Sequence, residues 1–250
     1  MKINTAGAAR DVAWYSEGWE ITKPRLGMWI LLGLACWFIS IVLNIIPFAG
    51  GIAFSIIMPG IAGGVFKAAR DWENGIEPSL GHLLIAFKDP VTRNGVLTLG
   101  AISIGFNILS TAIIFITMGG FGMHMVMHRA DIYSIIHAAA GAAFAFILLF
   151  LLALLFAAAM LYAIPLVMFA GIESVAAMKL SIEACIKNTI PMTVYGIIYL
   201  LLCLLTVLTL GLGLIILIPV TITSIYASFK DIFPEAGWDT DPLNSGKYQN

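Results

Sequence analysis

The sequence predicts an all-α, polytopic membrane protein: six transmembrane helices in three hairpins, with two amphipathic helices on the cytoplasmic side. Three observations predict this. Apolar residues make up 60% of the 250 and charged residues 11%, where a soluble domain has roughly 45–50% and about 25%; mean hydropathy is +0.99. The charges are bunched, leaving uncharged runs of 41 residues (Leu26 to Phe66), 35 (Asn94 to His128, histidine neutral), 41 (Ile132 to Ile172) and 42 (Asn188 to Phe229). The cations between these runs sort to one side. A water-soluble globule, a disordered chain and a basic nucleic-acid binder are thereby excluded. Continuous apolar runs also exclude a β-barrel, whose strands alternate.

A helix crosses about 30 Å of hydrocarbon with about 20 residues. A run of 41 or 42 therefore holds two spans and a turn, or one long span. The first run breaks at Asn44-Ile-Ile-Pro47-Phe-Ala-Gly50-Gly51, predicting spans at 27–46 and 51–68. The second predicts a span at 95–118, with Gly119-Gly120-Phe121-Gly122 leaving the helix. The third has no Gly or Pro from Ala142 to Ile164 and makes one span. The last breaks at Thr209-Leu-Gly211-Leu-Gly213, predicting spans at 192–209 and 213–230. Residues 1–25 are read as a cytoplasmic N-terminal segment, 26–233 as the transmembrane domain and 234–250 as a solvated cytoplasmic tail. The first 25 residues contain Asp11, Glu17 and Glu20, which a cleavable signal would lack.

With this span count, twelve of the thirteen Lys and Arg fall on one side; Arg129 alone falls on the other. The positive-inside rule then places both termini in the cytoplasm. The absence of any Asn-x-Ser/Thr sequon is consistent with a bacterial inner membrane. Three cysteines, Cys36, Cys185 and Cys203, give no disulfide framework.

Two cytoplasmic stretches read as helices lying on the membrane. One is Ser79–Asp89, with Leu80, Leu84 and Phe87 on one face; the other is Ser174–Lys187, with Lys179, Glu183 and Lys187 on a polar stripe. Pro90 and Pro191, which follow them, suit helix starts. An internal repeat is also legible. Pro59 is followed eleven residues later by Arg70-Asp71, and Pro219 by Lys230-Asp231. Phe66 and Tyr226 lie seven after each proline, Gly51 and Gly211 eight before. Hairpins 1–2 and 5–6 then look like copies, as parallel repeats do in some transporters.

Further signatures are Leu26-Gly-Met-Trp29, Pro47…Gly50, Pro59-Gly60, Tyr162-Ala-Ile-Pro165-Leu-Val, Ser181…Cys185…Lys187-Asn188, Gly211-Leu-Gly213 with Pro219, and Ile225-Tyr-Ala-Ser-Phe-Lys230-Asp231-Ile-Phe233. Together these resemble a family of uncharacterised proteobacterial integral membrane proteins, over roughly residues 20–233. More distantly the chain is similar to the membrane domain of bacterial glycerophosphodiester phosphodiesterases. The resemblance implies a six-helix inner-membrane fold and brings no catalytic residue, since the soluble catalytic domain of those enzymes has no counterpart here.

Two candidate sites stand out. In the loop from Met118 to Asp131, His124 and His128 are four apart with Asp131 nearby, a set that suits Zn(II), or Cu(I) with the methionines. A Met-rich interfacial loop with snorkelling His and Arg accounts for the same residues more simply. Arg70, Lys88 and Lys230, each followed by Asp, suggest a clamp for anionic lipid headgroups; topology determinants are the simpler account. Apart from Lys67 and Lys230 at the very ends of the second and last spans, no Asp, Glu, Lys or Arg lies inside any predicted span, whereas ion-coupled carriers keep one well within the membrane. Asn107 is the most costly polar residue inside and calls for an interhelical partner. Pro59, Pro165 and Pro219 free carbonyls that would line a cavity for a neutral or amphipathic solute, if they do more than kink their helices. Gly60, Gly63 and Gly64, and Gly95, Gly100 and Gly105, form small-residue packing surfaces. No nucleophile elbow, Walker loop or zinc-protease motif is present. The expectation is a non-enzymatic, lipid-interacting or scaffold protein without a cofactor. Its partners are membrane lipids and a second membrane protein or a further copy of itself, not nucleic acid. The other reading is a permease or channel for a neutral or amphipathic small molecule.

Overall fold

The computed structural model describes residues 1–7, 10–47, 49–127 and 132–236, with the side chains of 118–127 and 134 left out. All regular structure among them is helical. In chain order these are α1 (Arg10–Thr22), a 3₁₀ turn (Lys23–Arg25), α2 (Leu26–Asn44), α3 (Ala49–Glu73), a 3₁₀ helix (Leu80–Phe87), α4 (Pro90–Met127), α5 (Ile132–Ala170), α6 (Ser174–Lys187), α7 (Thr189–Leu208) and α8 (Leu214–Ile232). Six helical stretches are long and apolar enough to cross a membrane. The chain is multi-pass by length and composition.

Each predicted span coincides with a helix, and several overrun it. α4 has 38 residues and α5 has 39, about 57–59 Å at 1.5 Å per residue, almost twice a bilayer core. α4 continues through Gly119–Gly122, where a break was expected. Glycine costs about 1 kcal/mol in a helix interior, which an already propagating helix tolerates.

The N-terminal segment forms a helix of its own. α1 lies along the C-terminal half of α8, running the opposite way: Arg10 meets Asp231 and Thr22 meets Thr223. Asp11, Trp14, Gly18, Ile21 and Thr22 form its buried face, at helical spacing i, i+3, i+7, i+10, i+11. Gly18 allows the approach, since a Cβ there would lie 2.7 Å from the Ser224 amide nitrogen.

The core gathers at the end of the bundle where the charges collect. Buried residues of α3 and α8 run mainly from Pro59 to Asp71 and from Thr223 to Ile232. Tyr162, Leu166 and Phe169 of α5 complete it, with Tyr162 against Phe229 and Phe233. Ala236 closes this end, and the rest of the expected tail lies outside the described residues. In contrast, Thr206 is the one buried residue of α7.

Both predicted amphipathic stretches are helical. The first is a 3₁₀ helix, and its protein-facing residues are His82, Leu83 and Ala86. Leu80 and Leu84 point away, while Phe87 sits over Gly60. Gly64 decides this arrangement, because a Cβ there would overlap the His82 carbonyl. α6 buries Ser174, Ala177, Ser181 and Ala184 against α5 and α4, with the Ser174 hydroxyl donating to the Gly95 carbonyl, and leaves Lys179, Glu183 and Lys187 outward. Gly171, with φ +62°, makes the turn between them.

Candidate functional site

Two places concentrate polar chemistry in this apolar chain. The first is a cleft among α3, α4 and α5. Gly100 of α4 presses against the Ile56 backbone of α3, where a Cβ would lie 2.5 Å from the Ile56 carbonyl oxygen. Further along α4 the two helices leave a cavity of about 1030 Å³. Its walls are Phe54, Met58, Ile104, Met160 and Ile164 among others, and Ile52, Ile108 and Phe115 on its lining are 50%, 65% and 75% exposed. The cleft therefore opens on the outside of the bundle. Ser55, Ser103, Asn107 and Thr111 supply the polar lining. Asn107 does have the interhelical partner expected for it, donating from Nδ2 to Ser55 Oγ at 3.1 Å. Pro59 lies in the same wall. It has no N–H to give to the carbonyl four residues back, which is that of Ser55.

The second place is the charged end, built around two aspartates. Asp71 accepts from Lys67 Nζ at 2.7 Å and faces His82 Nε2 at 3.2 Å. Lys67 and Asp71 are one helical turn apart on α3 and almost wholly buried. The His82 Nδ1 accepts from the Ser79 amide at 3.1 Å, and in the Nε2-protonated tautomer the ring donates to Asp71. Ser79 and His82 thus form a capping box in which His replaces the usual Glu or Gln. Arg70 lies over the Phe169 ring, 5.0 Å from its centroid, a cation–π arrangement.

Asp231 is the second centre. Its Oδ2 accepts from Arg10 and, at 2.7 Å, from Trp14 Nε1. Arg10 also pairs with Glu17 at 2.9 Å. Beside it, Glu73 accepts from the Tyr226 hydroxyl at 2.9 Å and from Lys230 Nζ at 2.5 Å. These contacts tie α1 and α3 to the end of α8.

Of the proposed headgroup trio, Arg70 and Lys230 come to this same end, one over Phe169 and the other on Glu73. Lys88 stands apart, exposed beyond the far end of the 3₁₀ helix, with Asp89 capping Thr92 at 2.8 Å. Of the metal candidates, His128 and Asp131 lie outside the described residues, as does the side chain of His124. Among the described residues no group of three or more His, Cys, Asp or Glu is placed to hold a metal. Burial pushes the Cys185 thiol up to about 11, so it stays protonated near neutrality; its Sγ leans on the Ala158 carbonyl at 3.7 Å.

The packing glycines are where the sequence suggested: Gly60, Gly63, Gly64, Gly95 and Gly100 each meet a neighbouring element, and Gly105 meets nothing within 4 Å. The aspartate clusters were missed. Lys67 and Asp71 carried a signal in their i, i+4 spacing, as did Arg10 and Trp14 on α1; nothing local links Asp71 to His82. Comparison with family models, with curated proteins and with solved structures finds no match to the chain.

Proposed function

We propose that this chain is a non-enzymatic inner-membrane protein that holds part of a lipid or other amphiphile between α3, α4 and α5. The cleft carries the reading. It has about 1030 Å³ of room, at the upper end of the roughly 300–1,000 Å³ typical of small-molecule sites. Its wall is apolar apart from a single polar neighbourhood around Asn107. A hydrocarbon chain entering from the bilayer exchanges like for like, so the polar spot is what distinguishes one occupant from another. A permease would be better served by a cavity reaching Pro219 as well; that proline is buried in α8 and does not line the cleft.

The same reading extends to topology. Sorting of twelve cations to one side supports a cytoplasmic charged end and both termini in the cytoplasm. Leu80 and Leu84, 46% and 58% exposed beside exposed Lys88, support contact of the 3₁₀ helix with the membrane surface. Lys88 is the member of the trio best placed for an anionic headgroup, while Arg70 and Lys230 help to hold the helices together. Family membership in the uncharacterised six-helix group, and origin by duplication, belong to this proposal. The paired roles of Asp71 and Asp231 support the latter. The outward apolar faces of α7 would suit lipid, a second membrane protein or a second copy.

Native mass spectrometry of the whole chain released from mild detergent tests the central point. Wild type is expected to retain a lipid-sized mass. Ala62→Trp, which fills the cleft, is expected to lose it, and Ala101→Trp, exposed on α4 outside the lining, to keep it. Retention unchanged by Ala62→Trp would rule the cleft out as the site.

A further inference from the structure

We propose that the polar spot of the cleft selects an uncharged lipid bearing a free hydroxyl group. The proposal deepens the amphiphile-binding reading and rests on it. Asn107 offers two N–H donors and a carbonyl with two lone pairs. One N–H is used on Ser55 Oγ, and the Ser55 hydroxyl is itself used on the Gly51 carbonyl at 2.9 Å. The second N–H and Oδ1 have no further hydrogen bond among the described residues. Ser103, one turn away, bonds back to the Leu99 carbonyl of its own helix at 2.9 Å. Asn107 lies well inside the Pro90–Thr117 span, where an amide left unmatched in hydrocarbon costs several kcal/mol.

An acceptor lies beside it. Pro59 leaves the Ser55 carbonyl without its usual helical donor, at the residue whose hydroxyl already holds Asn107. The cleft thus presents one spare amide N–H and the Thr111 hydroxyl together with carbonyl acceptors. A hydroxyl meets both, accepting from the Asn107 N–H and donating to Oδ1 or to the Ser55 carbonyl. An ether or ester oxygen accepts only. A carboxylate or phosphate accepts only and brings a charge, and no Lys, Arg or His among the described residues lines the cleft to meet it. The occupant is therefore neutral, long-chained and hydroxylated. Diacylglycerols and polyprenols share that chemistry.

The test uses the whole chain in phosphatidylcholine nanodiscs. Diazirine-tailed diacylglycerol and polyprenol probes are each compared with their own methyl ether, and labelling of α3 and α4 peptides is read by mass spectrometry. At least one free alcohol is expected to label these peptides about tenfold more than its ether, the ratio that about one hydrogen bond in a dry site supplies. The alcohol that shows the preference identifies the source. Asn107→Leu is expected to bring the ratio to one while labelling persists; the wild-type ratio decides the question alone if that variant does not fold. Labelled cleft peptides with wild-type ratios near one for both pairs overturn the hydroxyl proposal and leave cleft occupancy standing. Unlabelled cleft peptides with every probe overturn both.

Discussion

Asp71 and Asp231 occupy matching places, each twelve residues after the proline of its helix. Each receives a ring N–H and a cation: His82 and Lys67 in the first case, Trp14 and Arg10 in the second. Their surroundings differ. The side chains of Asp71 and Lys67 are 8% and 1% exposed, those of Asp231 and Arg10 31% and 37%. A charge pair sealed from solvent gives little net stability over an apolar pair, yet is expensive to break, because the survivor keeps its desolvation cost. A half-exposed pair is re-solvated when broken. The same constellation is therefore a lock in α3 and a clasp in α8.

That contrast is sharpened most by Asp71→Ala, which removes the acceptor used by both His82 and Lys67. It is expected to destabilise the fold by about 3–5 kcal/mol, read as a large fall in thermal stability in detergent. His82→Leu comes next, at about 1–3 kcal/mol. It loses the donor to Asp71 and the cap on Ser79, so amide exchange should rise over Leu80–Phe87 in particular. Asp231→Ala is expected to cost about 1–2 kcal/mol and to speed exchange along α1 while leaving α3 protected. Salt at 1 M should shrink the Asp231 effect and spare that of Asp71; equal losses and equal salt responses would break the comparison. Glu183→Gln sets the floor. Its 2.7 Å pair with Lys187 is about half exposed on both sides, and the change should stay within about 0.5 kcal/mol.

Legibility followed a physical boundary. The six long helices were readable because span length and a lack of charge are local properties, and both short helices were found from local spacing. The buried face of the Leu80–Phe87 helix was not, since the three-residue turn and the gap over Gly64 rotate Leu80 and Leu84 outward. Helix α1 falls in the segment read only as a cytoplasmic N-terminal stretch, although Trp14 and Gly18 mark a packing face. Within the cleft, Asn107 and Pro59 were legible singly, as a polar group in need of a partner and as a source of a freed carbonyl.

Burial was the least legible property. α5 is the most apolar of the six candidate spans, yet 11% of its window is buried; α3 and α8 are the least apolar, at 44% and 50%. Lipid tails are as apolar as leucine, so the helices that pack together do so through Gly, Ala, Ser and Thr, leaving the greasiest faces outward.

Chain length, composition and the spacing of charges thus determined by themselves that there would be six long apolar helices, because partition into hydrocarbon is decided residue by residue. Only the tertiary structure decided that α1 folds back onto α8, that Asp71 meets His82, and that α3 and α4 part below Gly100 to leave a cleft around Asn107. Those outcomes depend on which surfaces approach closely enough to exclude lipid, and an apolar side chain is equally well served by a neighbouring helix or by a lipid tail.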